Sequence, residues 1–256
     1  FDNASHPYTQ KLLQDAVPKQ TLKAPKDSAK LLELKDLKVH FPIKKGLFQR
    51  TVGHVKAVDG VSLSIEKGQT LALVGESGSG KSTIGQAILR LVKATDGAVD
   101  YQVDGDSIAL TDLSEKQMKP LRKRVQVIFQ DPFSALNPRM TISEIIREGM
   151  VSLKVGSQNK VDQDKRIDEL LEQVGLLAEH KHRYPHEFSG GQRQRIGVAR
   201  ALAVEPELII CDEPTSALDV TVRAQVLALL ESLQQEYQLS YLFITHDLSI
   251  IPTIAH

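Results

Sequence analysis

The run Gly75-Glu-Ser-Gly-Ser-Gly80-Lys81-Ser82 restricts this chain more than any other stretch, because it matches G-x-x-x-x-G-K-[ST] in full. Directly before it, Thr70-Leu-Ala-Leu-Val74 is short and almost wholly apolar, the composition of a central parallel strand covered on both faces. A strand running into such a loop and on into a helix lets the glycine-rich backbone curl. The N–H groups of Gly75, Glu76, Ser77, Gly78, Ser79 and Gly80 then turn inward. The positive end of the following helix points to the same spot, and together they make a cradle for phosphates. Lys81 is long enough to reach β- and γ-phosphates, the Ser82 hydroxyl is a hard oxygen ligand suited to Mg2+, and Thr83 adds a hydroxyl toward the α-phosphate. The bland alternative, a chance glycine-serine turn, leaves the strand before the loop and the lysine after it unexplained.

The rest of the chain is organised around that motif. Its 256 residues, 41% of them hydrophobic, can bury one sizeable core, as one large α/β domain or two small ones. From Val17 to Lys30 the sequence is Lys-rich, holds two prolines and lacks an apolar period, so residues 1–30 read as an appendage with a linker. A β-rich region starts at Leu31: Leu34, Leu37, Val39 and Phe41 lead in, and Val61-Ser-Leu63-Ser-Ile65 alternates as a half-buried strand does. Between about 131 and 200 the character changes, since Ile142 to Met150, Lys165 to Val174 and Gln192 to Leu202 carry apolar residues at helical spacing. This segment is expected to be a helical insertion. Strand returns at Leu208–Cys211 and Tyr241–Thr245, separated by a helix over about Val220 to Glu236. Strands alternating with helices predict an α/β fold with a mostly parallel sheet.

Two carboxylates, Asp212 and Glu213, follow the apolar run Leu208-Ile-Ile-Cys211 and so stand at the exit of a buried strand, where open parallel sheets hold their ligands. Alternation along a strand gives the neighbours different tasks. Asp212 is expected to hold Mg2+ through a water, and Glu213 to polarise an attacking water. A solvated acidic pair ahead of the turn at Pro214 is the simpler reading of these two residues taken alone. His246, just past the strand ending near Ile244, can bond a γ-phosphate, although a lone histidine is more often structural. Cys211, the single cysteine, sits in an apolar run as a small buried hydrophobe, which excludes an intramolecular disulfide and fits a reducing compartment.

Charge excludes some partners. Lys plus Arg and Asp plus Glu are both 32, so no global field draws the chain to nucleic acid or an anionic bilayer, and no nucleic-acid partner is expected. No apolar stretch approaches the roughly 18 residues that span a bilayer, and no basic region followed by a hydrophobic one opens the sequence.

Glu187-Phe188-Ser189-Gly190-Gly191-Gln192, followed by Arg193-Gln-Arg-Ile-Gly-Val-Ala-Arg200, resembles the signature motif of ABC ATPases. Physically it reads as a second anion nest: Ser189 as helix N-cap, two glycines exposing N–H groups, and a helix dipole behind them. The resemblance covers about residues 31–256. It implies a P-loop (RecA-like) core with an antiparallel β subdomain and an inserted α-helical signature subdomain. It also implies a second such domain bound head to tail, each signature loop closing on the γ-phosphate of ATP held by the other. Gln130 is similar to the Q-loop glutamine that senses Mg2+, Ser216-Ala-Leu-Asp219 to the D-loop, and His246 to the switch histidine.

Phe129-Gln-Asp-Pro-Phe-Ser-Ala-Leu-Asn-Pro-Arg139 and His182-Arg-Tyr-Pro-His186-Glu187 resemble the oligopeptide, dipeptide and nickel importer branch. That branch implies ATP hydrolysis with Mg2+ at the cytoplasmic face of a bacterial inner membrane, two transmembrane permease subunits, a periplasmic binding protein and a peptide as cargo, with nickel or glutathione as alternatives.

Two departures matter. The neighbourhood that carries an adenine-stacking aromatic in many family members reads Thr51-Val-Gly-His54-Val55, which leaves Phe41, Phe48 or His54 as substitutes. Ser5-His-Pro-Tyr-Thr-Gln-Lys-Leu-Leu13 resembles the tail that the branch carries after its ATPase domain, yet here it comes first. The expectation is a tandem-fused subunit in which residues 1–18 end a preceding ATPase domain and residues 31–256 are the second domain, cut short at its carboxyl end. Rival readings are a soluble ABC protein acting on DNA or the ribosome, and a module that no longer hydrolyses ATP. Arg193, Arg195 and Arg200 would argue for the former but read better as a solvated or inter-domain face, and the intact Glu213, His246 and signature argue against the latter.

Overall fold

The computed structural model describes residues 28–45 and 50–255, so the expected tail and linker over residues 1–30 fall almost wholly outside the described residues. The described residues open with an antiparallel hairpin of β1 (Lys30–Lys45) and β2 (Arg50–Glu66). Strand β3 (Thr70–Val74) leaves for a second sheet, and helix α1 (Lys81–Ile88) follows it. Strands β4 (Asp96–Val103) and β5 (Asp106–Ala109) return to complete a four-stranded antiparallel sheet ordered β2-β1-β4-β5. Leu34 and Leu37 are both buried although they lie three positions apart, an odd offset that would put them on opposite faces of a regular strand. A bulge between them, with Asp36 at φ 47, resets the alternation.

A short helix α2 (Glu115–Met118) leads to β6 (Val125–Ile128), the first strand of the parallel sheet that the spacing argument did not single out. Four residues give too little pattern to see. The second sheet is β3-β8-β7-β6, all neighbours parallel, with β7 at Leu208–Asp212 and β8 at Ser240–Thr245. Both faces of β7 and β8 are covered, and alternation sorts their side chains into two cores. Ile209, Cys211, Tyr241 and Phe243 pack into the helical cluster. Leu208, Ile210, Leu242 and Ile244 pack with α1 and the antiparallel sheet. That two-sided burial is why these strands read as continuous apolar runs.

Between β6 and β7 lies the helical region: α3 (Pro132–Ala135), α4 (Ile142–Ser152), α5 (Lys160–Gln173) and α6 (Gly190–Leu202). Thr141 with Glu144 and Ser189 with Gln192 form capping boxes that start α4 and α6, and Asn159 caps α5. Helix α4 buries Ile142, Ile145, Ile146 and Met150, the single stripe that makes such a segment helical. Helix α7 (Val220–Tyr237) joins β7 to β8, and α8 (Ile251–Ile254) follows them.

The arginines of α6 are not a solvated face. Arg200 donates to the Ala135 carbonyl at 2.6 Å and Arg195 to that of Val174 at 2.8 Å, while the Arg193 guanidinium lies 4.0 Å from the centre of the Phe133 ring. They fasten α6 to its neighbours inside the chain, where their carbonyl partners replace water. Among the described residues no helix is long and apolar enough to cross a membrane.

Candidate active site

Register aligns the exits of the parallel strands. Val74 faces Thr245, Asp212 faces Ile244, and Ile128 faces Cys211. The residues that come next, Gly75, His246, Glu213 and the pair Phe129-Gln130, therefore share one sheet edge. A cavity of about 650 Å3 opens there, lined by Gly75, Glu76, Ser77, Gln130, Glu213 and His246 together with Val74 and Leu248.

The phosphate loop takes the form its sequence demands. Gly80 sits at φ 96 as the N-cap of α1, and a Cβ there would overlap the Ala57 carbonyl oxygen, so only glycine lets the loop pass β2 this closely. No side chain caps that helix, in contrast to α4, α5 and α6, which leaves its first N–H groups to an anion. Gly78 also has positive φ, and Ser79 N–H donates to the Glu76 carbonyl at 3.3 Å to close the turn. Lys81 is 6% exposed, and its ammonium donates to the Gly75 and Glu76 carbonyls at 2.7 and 2.6 Å. A buried charge is thus held directly over the loop.

Behind it the Ser82 hydroxyl donates to Asp212 Oδ1 at 2.8 Å. Burial pushes the Asp212 carboxyl up, the Ser82 bond opposes this, and Glu213 adds repulsion. A desolvated carboxylate beside a hydroxyl oxygen suits a hard divalent cation. Among the described residues no group of three or more His, Cys, Asp or Glu side chains is arranged to hold a metal. The donor set therefore fits a Mg2+ that shares its shell with phosphate oxygens rather than an all-protein cage. Thr83 is half-buried on α1 and does not line the cavity.

Glu213 occupies a left-handed backbone position, φ 45, that non-glycine residues rarely adopt, and its N–H donates to the Ile244 carbonyl at 3.0 Å. Its side chain is 11% exposed. Gln130 Nε2 donates to Glu213 Oε2 at 3.1 Å, and His246 Nδ1 lies 3.0 Å from the same oxygen. The Gln130 amide and the His246 ring thus meet on one carboxylate oxygen, and Oε1 takes no part in either contact. The bond from Gln130 Nε2 leaves that side chain's amide oxygen as an acceptor facing away from it. Two residues that sequence reasoning passed over stand beside these. Asp247, directly after the histidine, pairs with Arg223 of α7 at 2.7 Å.

The signature segment lies elsewhere, since Ser189, Gly190, Gly191 and Gln192 do not line the cavity. Ser189 is an exposed N-cap: Gln192 N–H donates to its hydroxyl at 3.3 Å and Ser189 N–H to Gln192 Oε1 at 3.0 Å. The two glycines have different duties. Gly190 meets nothing closer than 3.9 Å, whereas a Cβ on buried Gly191 would overlap Val222 of α7. Gly191 therefore serves helix packing. Asp219 caps α7 by accepting from Val222 N–H at 3.0 Å. Of the adenine candidates, Phe41 stands opposite Val55 and His54 opposite Pro42 on the β1–β2 hairpin, neither lines the cavity, and Phe48 lies outside the described residues.

Comparison with known proteins agrees with this geometry. A family model described as ABC transporter matches residues 58–216. The oligopeptide transport ATP-binding protein AppF of Bacillus subtilis is 54% identical over 226 residues, 88% of this chain and 67% of that protein. YejF of Escherichia coli, an uncharacterized ABC transporter ATP-binding protein, is 47% identical over 256 residues, 100% of this chain but 47% of its own length. Among solved structures, a dimeric ATP-binding cassette in a post-hydrolysis state, bound to ADP and phosphate, superposes with a TM-score of 0.72 at 31% identity. That match covers 85% of this chain and 88% of the other.

Proposed function

Because this chain belongs to the ABC transporter family of ATP-hydrolysing cassettes, we propose that it is the ATP-binding subunit of an importer that takes up peptides across a bacterial inner membrane. The observation that carries the catalytic reading is the meeting of Gln130 and His246 on a single oxygen of Glu213, at the mouth of the phosphate loop. In this reading the loop amides and Lys81 hold the β- and γ-phosphates, Thr83 supports the α-phosphate end, and Ser82, Asp212 and Gln130 hold Mg2+. The cation, when bound, neutralises charge building on the transferring phosphoryl group. Glu213 Oε1 accepts a proton from the attacking water, while His246 keeps the carboxylate oriented and turns Nε2 toward the γ-phosphate.

Ser189 and the N–H groups of Gly190 and Gly191 would act on the nucleotide of a partner domain, bound head to tail. Asp219 and the turn before it would line that contact, and its Val222 bond holds the turn in shape. Support comes from the solved relative, which is itself a dimer. The face next to Gln130 presents Phe129 and Phe133, 38% and 59% exposed, and would receive the cytoplasmic segments of two permease subunits. In this reading the chain works at the cytoplasmic face, in a system fed by a periplasmic binding protein. Peptide as cargo rests on AppF and on the OppF relatives of Bacillus subtilis and Escherichia coli, 54% and 50% identical. The tandem arrangement, with this cassette as residues 31–256, rests on the YejF match over the whole chain. A reading frame with a single phosphate loop would refute it.

The test is reconstitution with the neighbouring permease and binding-protein genes in proteoliposomes. The proposal expects ATP-dependent accumulation of labelled tri- to pentapeptides, abolished by Lys81→Ala. Uptake of nickel alone, or of glutathione alone, would replace the peptide reading. An ATPase that ignores the permease would favour a soluble factor.

A further inference from the structure

His246 is 53% exposed and follows the last residue of β8, and the polar contact recorded for its ring among the described residues is the one to Glu213. The next residue, Asp247, is bound on every side. Its Oδ1 accepts from Ser249 N–H at 2.9 Å and Ser249 Oγ at 2.6 Å, and its Oδ2 accepts from Arg223 NH1 at 2.7 Å. Its own N–H donates to Thr245 Oγ1 at 3.0 Å, and Thr245 is buried at the end of β8. Arg223 lies in the first turn of α7, where its N–H donates to the Asp219 carbonyl at 2.8 Å and Asp219 is the N-cap. The pair is only partly solvated, at 28% and 32% side-chain exposure, and the Arg223 Nε is buried without a partner among the described residues. A desolvated guanidinium anchored at one end alone has few other places to go.

The geometry points to Arg223 and Asp247 as positioning residues: their ion pair ties the first turn of α7 to the backbone that carries His246, and so holds the imidazole on Glu213. The inference rests on the reading of His246 as the residue that meets the γ-phosphate. It also joins two segments separated in sequence. A partner that presses on Ser216–Asp219 moves the start of α7, and through Arg223 the histidine of the same chain. Neither residue touches substrate, so their effect is on the orientation of His246 and on turnover, and ATP affinity is left alone.

Imidazole 15N spectra of the purified chain at about pH 8, where an ordinary histidine is neutral, read the orientation without any assay of activity. We expect the Nδ1–H tautomer in the wild type, because Glu213 accepts that proton. In Arg223→Gln and Asp247→Asn the signal should move toward the Nε2–H form that a free imidazole prefers, with Arg223→Lys restoring most of it. Asp247→Asn keeps the Ser249 bonds at Oδ1, so folding should be preserved. An unchanged tautomer in both variants would overturn the proposal. In the ATPase assay, each variant should lower kcat about tenfold with KM for ATP within about twofold, the scale of a mispositioned catalytic group. In a His246→Ala background, Arg223→Gln should cost nothing more. Equal losses in both backgrounds would sink the strut. A His246→Ala enzyme with wild-type turnover would instead overturn the reading of His246, and the tautomer would still judge the strut.

Discussion

Replacing Glu213 with Gln separates binding from chemistry. The change keeps side-chain length and the φ 45 backbone, and the amide oxygen can still accept from Gln130 Nε2 and His246 Nδ1 in place of Oε2. What the site loses is a charge and, with it, the second carboxylate oxygen. Weakening two charge-assisted hydrogen bonds to neutral ones costs about 1–2 kcal/mol of stability. Loss of a general base lowers turnover by roughly 10²–10⁴, or about 3–5 kcal/mol of activation free energy. The phosphate contacts come from the loop and Lys81, so ATP affinity should stay within about threefold. Single-turnover hydrolysis of labelled ATP, beside equilibrium binding on the same protein, measures both. Turnover within about threefold of wild type would refute the assignment of Glu213 as base. A parallel fall in affinity and turnover would move its role from chemistry to binding.

Gly80→Ala forces a Cβ into the Ala57 carbonyl at φ 96 and should cost about 2–4 kcal/mol in denaturant unfolding, with ATP binding weakened in step. Asp212→Asn should behave oppositely. Burial raises that carboxyl in the folded chain, so the native state binds more protons than the unfolded one just above the ordinary carboxylate range, and stability falls as pH rises through that window. The Asn variant lacks this loss and should unfold at higher denaturant near neutral pH, while Mg2+-dependent ATP binding weakens. Cys211 is fully buried, and burial pushes its thiol far up, so a disulfide reagent should label it only after unfolding.

The parts of the fold that sequence displayed are those where one physical requirement acts alone. Leu208–Cys211 and Tyr241–Ile244 are buried on two faces and so are apolar without interruption, whereas Thr70–Val74, expected as a central strand covered on both faces, is the half-buried edge strand of its sheet; the ends of the three strands locate Gly75, Glu213 and His246. Less visible were features decided by two elements meeting. Gly191 carries the same letter as Gly190, yet it is Val222, far along the chain, that forbids a side chain there. Arg200 reads as a surface cation until Ala135 supplies the carbonyl that holds it. The bulge at Asp36 breaks the alternation of β1, and the four residues of β6 are too few to show a period. Arg223 and Asp247 are ordinary charges in sequence and become a pair only through the packing of α7 against the end of β8.

Sedimentation velocity on the Glu213→Gln protein, with and without ATP and Mg2+, tests the central claim that two cassettes close on shared nucleotides. The account predicts a monomer without nucleotide and a dimer with it. Replacing Ser189 with a bulky residue should abolish the dimer while leaving nucleotide binding intact. A protein that binds ATP and stays monomeric at every concentration would contradict it.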